Sequence, residues 1–275
     1  MFMSRAMRTP FRKMHGIGND FVVIDAREVP IAMSPRRAAA LADRRTGIGC
    51  DQLVVIEPSA RTDVRMRIFN NDGSEVEACG NASRAVGLLL GGTQTIETLG
   101  GLIRSEASGQ GVTVDMGAPR LNWDDIPVSY AMDTLDMPVG WEELENPVGV
   151  NVGNPHVIFF VPDCDAVDLE RLGPLIENDP LFPERINVNV ASRIGPDHLA
   201  LRVWERGAGL TRACGTGACA TAVAAIRRKL TGRTVRVDLP GGPLTIAWPE
   251  GGNIQMTGPA ALSFEGTFED ADFPA

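Results

Sequence analysis

Two short segments hold the residue types most suited to chemistry, Ala78-Cys79-Gly80-Asn81 and Ala213-Cys214-Gly215-Thr216, and their cysteines stand 135 residues apart. That offset of 135 also carries Gly18-Asn19 onto Gly153-Asn154, Gln52 onto Asn187, Asn70 onto Glu205, and Ile68-Phe69 onto Val203-Trp204. An apolar run follows each Gly-Asn pair, Phe21 to Ile24 in one case and Val157 to Val161 in the other. One spacing linking reactive and amide side chains across half the chain reads as an internal duplication. A cysteine at a helix start meets free backbone N–H groups and the positive end of the helix dipole, so both thiols are expected below their ordinary pKa of ~8.5. Gly80 and Gly215 would let a ligand approach the backbone closely, and the same amides could cradle a carboxylate. One thiolate and one thiol on opposite faces of a carbon can remove a proton from one side and return one to the other, which is racemase or epimerase chemistry. A single cysteine beside glycine in an alanine-rich helix is usually packing. Cys50, Cys164 and Cys219 meet Arg185, Val29 and Arg84 at the offset, and are assigned to packing or surface.

The elements that must position these residues are short. Strands are expected at Phe21–Asp25, Leu53–Glu57, Val64–Phe69, Gly111–Met116, Val157–Val161, Leu199–Trp204, Val235–Leu239 and Leu244–Trp248 from their β-branched, short-run character. Helices are expected at Pro35–Arg45, with Ser34 as N-cap, and at Asn81–Leu90 and Gly215–Leu230, closed near Gly91 and Gly232. Pro119–Pro147, rich in Pro, Asp and Trp, reads as the crossing between halves. The fold class is α+β: two pseudo-symmetric lobes, with residues 1–126 and a returning 263–275 in the first and 127–262 in the second.

Composition bounds the partners. The 275 residues are 44% hydrophobic and 22% charged, ordinary for a globular protein, and the net charge of −9 gives nucleic acid or an anionic membrane no general reason to bind. No apolar run approaches the ~20 residues of a membrane span, and MFMSRAMRTP lacks the apolar centre of a signal peptide, so a cytoplasmic location is expected. Five cysteines, three histidines and no CxxC pair make a structural zinc site a poor expectation. Lys13 and Lys229 are the only lysines, and neither has the surroundings of a Schiff base, which disfavours a pyridoxal enzyme.

Five segments taken in order resemble the diaminopimelate epimerase family: Lys13 to Phe21, Phe69 to Asn81, Gly153 to His156, Pro183 to Asn187, and Glu205 to Cys219. The resemblance runs from Phe11 to Gly266. It implies a cofactor-independent enzyme that inverts one α-carbon of LL-2,6-diaminopimelate to the meso form, in lysine and peptidoglycan precursor synthesis. It further implies that each lobe wraps a sheet around a central helix, that the active site lies in the cleft between lobes, and that the enzyme is a homodimer. Carried over by residue, Cys79 and Cys214 are the acid/base pair, while Gly80, Asn81, Gly215 and Thr216 surround the reacting carboxylate. Asn19, Gln52, Asn70, Asn154, Asn187, Glu205 and Arg206 line the pocket, and His156 and Glu205 help to set protonation near the cysteines. The substrate carries an ammonium and a carboxylate at each end, so neutral amides with one fixed charge of each sign suit its distal half.

The chain departs from the family pattern at Cys50, Ala82, Ala85 and at Phe264, which stands where relatives often carry Tyr at a dimer contact. Two alternatives stand beside this reading: a two-cysteine epimerase acting on proline or hydroxyproline, and a thiol redox protein in which Cys79 and Cys214 pair as a disulfide.

Overall fold

The computed structural model describes residues 8–77 and 79–274; the first residues, read above for an export signal, and Ala78 of the first cysteine segment lie outside them. Two compact units emerge: one runs to Val114 and resumes at Pro259, the other spans Asp115–Gly258. The sequence reading placed these divisions at 126/127 and 262/263. In the structure Arg120 and Asn151 exchange backbone hydrogen bonds of 2.8 and 3.0 Å, which ties residues after Val114 to the second unit.

The first unit contains β1 (Arg8–Gly16), β2 (Asn19–Asp25), α1 (Pro35–Ala42), β3 (Gln52–Glu57), β4 (Val64–Asn70), β5 (Glu75–Val76) and α2 (Gly80–Leu90). β6 (Thr93–Thr98), β7 (Gly101–Ser108) and β8 (Gly111–Asp115) follow. β2 and β3 run parallel, β3 and β4 antiparallel, and both faces of this sheet are buried, which is why the strands read as continuous apolar runs. Val22, Ile24, Leu53, Val55 and Phe69 pack with Ala38 and Leu41 of α1. The alternate residues Phe21, Val23, Val54, Ile56 and Ile68 pack with Ala82, Ala85 and Val86 of α2. Burying each such side chain contributes about 1.5–3 kcal/mol before entropy is counted.

The second unit repeats that order. A small hairpin of β9 (Gly140–Trp141) and β10 (Leu144–Glu145) precedes β11 (Val148–Asn151), β12 (Pro155–Phe160), α3 (Leu169–Glu177), β13 (Asn187–Gly195), β14 (His198–Glu205) and β15 (Gly209–Thr211). Then come α4 (Gly215–Arg227), β16 (Thr234–Leu239), β17 (Gly242–Ala247) and β18 (Gln255–Gly258). The last strand, β19 (Ala261–Glu269), belongs to the first unit, where it pairs antiparallel with β1. Phe21 opposite Gln52 becomes His156 opposite Asn187, Leu53 opposite Phe69 becomes Val188 opposite Trp204, and Phe69 opposite Glu75 becomes Trp204 opposite Leu210. Every pair shifts by 135, so the duplication inferred from spacing holds at the level of strand register. The repeat slips after the second central helix, which has 13 residues where the first has 11. Ten residues of α4 are buried on all sides, and its Gly and Ala content is what lets a helix sit centrally.

Several local expectations are corrected. Pro119–Pro147 is no bare crossing, because Ile126, Val128, Met137 and Leu144 enter the core with Val157, Phe159 and Leu172. The helix at Pro35 begins under a Ser34 cap but stops at Ala42, where the Asp43 carboxylate accepts the amides of Arg45 and Thr46 in a turn. α2 does close at Gly91, with φ of 71°. α4 closes earlier than Gly232: the amides of Lys229 and Leu230 reach back to Ile226 and Ala225, with Lys229 itself at φ of 58°. α3 was not anticipated, since Gly173-Pro174 reads as a break. It forms under an Asp168 cap because Leu169, Leu172 and Ile176 share one buried face. Gly173 is needed there, as a Cβ would stand 2.4 Å from the Trp204 ring. Gly173→Ala is therefore expected to lower unfolding free energy by about 1–3 kcal/mol, measured by urea denaturation.

Candidate active site

In the first unit the sheet ends and the helix start are brought together by short connections. Ile17-Gly18, at φ of 50° and 95°, makes a two-residue reversal between β1 and β2, a left-handed geometry that favours glycine, and delivers Asn19. Asn19 Oδ1 accepts from Asn81 Nδ2 at 3.2 Å, and Asn19 Nδ2 donates to Asp51 at 3.1 Å. Gln52 Nε2 donates to Asn70 Oδ1 at 3.1 Å, and Asn70 donates on to Ser74. Gln52 Oε1 is buried and accepts no hydrogen bond, so it stays available to a ligand donor. Cys79 is the N-cap of α2, in extended conformation and partly exposed, and its Sγ accepts from the Ala82 amide at 3.5 Å. Its carbonyl takes both the amide and the hydroxyl of Ser83 at 2.9 Å.

The second unit presents the same cap with different support. Cys214 begins α4, only 3% exposed, and its Sγ accepts from the Gly217 amide at 3.3 Å and lies 3.5 Å from Thr216 Oγ1. Burial and the neighbouring Glu205 carboxylate push the Cys214 thiol well above its ordinary range, outweighing the Thr216 and Gly217 hydrogen bonds. This reverses the direction expected from the helix dipole alone. Glu205 is raised as well, chiefly by desolvation, and hydrogen bonds from Thr211 and Cys214 oppose the rise. The structure thus keeps a thiol and a carboxyl in contact, a pair that favours the protonated sulfur in the closed unit.

His156, wholly buried, sits between Asn154 Oδ1 at 3.0 Å from Nε2 and Asn189 Oδ1 at 3.4 Å from Nδ1. Burial drives its pKa down to about 3, with the Arg206 charge adding to the effect and Asn189 opposing it, so the ring is neutral. Asn187 is engaged at both ends of its amide, accepting the Arg206 N–H at 2.9 Å and donating to the Pro155 carbonyl at 2.7 Å. The Arg206 side chain donates to the Glu184 carbonyl at 2.9 Å. Sequence reading missed two organising carboxylates. Asp51 orients Asn19 and is itself tied to Arg44 at 2.7 Å. Glu177, 5% exposed, accepts from Trp204 Nε1 at 2.7 Å and from the Gly207 amide at 2.9 Å, bracketing Glu205-Arg206. Asp51 adjoins Gln52 and could have been suspected, whereas Glu177 lies in the unanticipated α3 and left no local signal.

Among the described residues no group of three or more His, Cys, Asp and Glu side chains is arranged to hold a metal, and no helix is long and apolar enough to cross a membrane. Each unit therefore offers one sulfur, the first-turn amides of a central helix, and a rim of carboxamides, arranged about the same sheet end.

The molecule is a duplicated α+β scaffold with a cysteine capping the central helix of each half. Its fold is matched by a PhzF-family phenazine biosynthesis protein from Bacillus anthracis, at a TM-score of 0.69 and 16% identity over 95% of this chain and 99% of that one. It is matched too by a hydroxyproline epimerase from Agrobacterium vitis, at a TM-score of 0.63 and 15% identity over 97% and 92%. The family model described as diaminopimelate epimerase matches residues 11–122 and 148–263. Diaminopimelate epimerases from Erythrobacter litoralis (63% identical, 97% of this chain and 100% of the relative) and Rhizorhabdus wittichii (64% identical, 94% of each) are similar over nearly the whole chain. The chain belongs to the diaminopimelate epimerase family, a family of isomerases.

The buried histidine has a consequence for stability. Its folded pKa of about 3 lies below the ordinary 6.5, so the unfolded chain takes up the proton first as pH falls. Its contribution is complete above pH 6.5 and declines toward pH 3 by about 1.4 kcal/mol per pH unit. Between pH 7 and pH 5, urea denaturation should show wild type losing about 2 kcal/mol more than His156→Gln.

Proposed function

We propose that the protein interconverts LL- and meso-2,6-diaminopimelate without a cofactor, with Cys79 and Cys214 as the two proton-transfer groups. The observation that carries this reading is the matched pair of cysteine N-caps at one sequence offset, each with its sulfur against the third amide of its own central helix. In the reaction the thiolate of one cysteine takes the α-proton as the C–H bond breaks, and the thiol of the other delivers its proton to the opposite face. The configuration inverts and the two sulfurs exchange protonation states. First-turn N–H groups at Gly80-Asn81 and Gly215-Thr216 would bind the α-carboxylate and stabilise the charge that builds on it in the transition state.

The remaining assignments follow from the substrate. Asn19, Gln52, Asn70, Asn154 and Asn187 with Glu205 and Arg206 would recognise its distal amino-acid end, and His156 with Glu205 would set the protonation of Cys214. A substrate lacking that end would leave these groups unpaired, which gives strong discrimination. Exclusion of water around the bound substrate would strengthen every charged contact. A homodimer with Phe264 at its contact, and a cytoplasmic location, complete the proposal.

Reduced protein incubated with LL-diaminopimelate in D₂O, with no added cofactor, should yield meso product carrying deuterium at the inverted centre. Cys79→Ser and Cys214→Ser should each abolish inversion by at least about a thousandfold while leaving thermal stability intact, because serine caps a helix at least as well as cysteine. No turnover by folded, reduced protein would refute the proposal. Inversion of proline or hydroxyproline instead would redirect it to the other substrate class.

A further inference from the structure

The two cysteine caps share a register but rest on opposite kinds of packing. Behind Cys79 lie Phe21, Val54, Ala82 and Val86, all fully buried in one apolar cluster against which Cys79 packs. Shifted by 135, the same positions are His156, Asn189, Gly217 and Thr221, and the three polar side chains among them are 0% exposed. Burying a histidine, an amide and a hydroxyl where valines and a phenylalanine would fit costs stability, so the exchange requires a reason outside folding.

The hydrogen bonds supply one. Asn189 Oδ1 lies 3.4 Å from His156 Nδ1, and its Nδ2 donates to the Gly217 carbonyl and to Thr221 Oγ1, each at 3.2 Å. Gly217 is the residue whose amide supports the Cys214 sulfur at 3.3 Å. A Cβ there would stand 3.1 Å from Cys214 Sγ and 3.1 Å from Val203, closer than ordinary contact. The first unit carries Ala82 at this position, and its amide stands 3.5 Å from Cys79 Sγ. Glycine brings the backbone closer to sulfur and gives up the conformational restriction that alanine supplies. A donor fixed on β13 restores that restriction from the carbonyl side. His156 Nε2 lies 3.0 Å from Asn154 Oδ1, and the neutral ring has one N–H to give to either amide oxygen.

We infer that Asn189 is a positioning residue: by clamping the Gly217 carbonyl it holds the Gly217 amide on the Cys214 sulfur. The network makes the two half-sites chemically unequal although the strands that carry them are equal. The inference rests on the proposed role of Cys214, and its main readout needs no substrate.

Asn189→Val installs the first unit's own residue. At a single pH, mass spectrometry after iodoacetamide treatment should show Cys214 alkylated at least about threefold more slowly, with Cys79 changed less than about 1.5-fold. With LL-diaminopimelate, kcat should fall about tenfold while KM moves less than about twofold, as a misplaced reacting group predicts. Should Asn189→Val fold poorly, Asn189→Ser, too short to reach Gly217, carries the same readings. The triple variant His156→Phe, Asn189→Val, Thr221→Val restores an apolar cluster and should melt no lower than wild type. Unchanged Cys214 alkylation in a folded Asn189 variant would overturn the inference, as would an equal change at both cysteines. So would a triple variant melting more than about 5 °C lower, since the network would then serve the fold. Inactivity of wild type toward diaminopimelate would refute the substrate assignment alone and leave the alkylation test standing.

Discussion

A cysteine sulfur accepting the backbone N–H three residues ahead, at the first turn of a buried helix, is the interaction on which this molecule is organised. Sulfur is a poorer cap than the oxygen of Ser, Asp or Asn, so placing it twice at this position gives up helix stability. The position in return puts a titratable group beside first-turn amides that no intrahelical carbonyl uses. The rest of each unit follows from burying that helix. Strands must cover it on all sides, the helix must be built of small residues, and the sheet ends must bring their polar side chains to its N-terminus.

The environment of the sulfur, more than the helix dipole, decides its chemistry. Cys79 caps a partly exposed helix start, whereas Cys214 is closed in with Glu205 and held in its protonated form by burial and by that carboxylate's charge. Desolvation of a full charge outweighs the fraction of a charge at a helix end once solvent is removed. The histidine behind Cys214 obeys the same rule and stays neutral. A buried carboxylate can also act as an anchor for the chain around it. Glu177 gathers Trp204, Gly207 and Arg185, and so fixes the turn that carries Glu205 and Arg206.

Much of this was legible in residue order. Short β-branched apolar runs marked β2, β3, β4 and β14, Ser34-Pro35 marked a helix start, and equal spacing of Cys, Asn and Gln marked the duplication. α3 stayed hidden because Gly173-Pro174 opposes a helix locally, while the Asp168 cap and the tertiary burial of Leu169, Leu172 and Ile176 compensate. The segment after Pro119 looked like linker because its prolines and aspartates dominate its composition, while four apolar side chains decide its packing.

By itself the sequence determined the repeat, the family and the matched spacing of two cysteines, because these depend on residue type and spacing. Tertiary structure alone decided which thiol is desolvated, which amides are already committed and which carboxylates serve as anchors. Those properties come from neighbours far apart in the chain, such as Glu177 with Trp204 or His156 with Asn189. The electrostatic cost of burial is set by what surrounds a group in space, and residue order does not encode that surrounding locally.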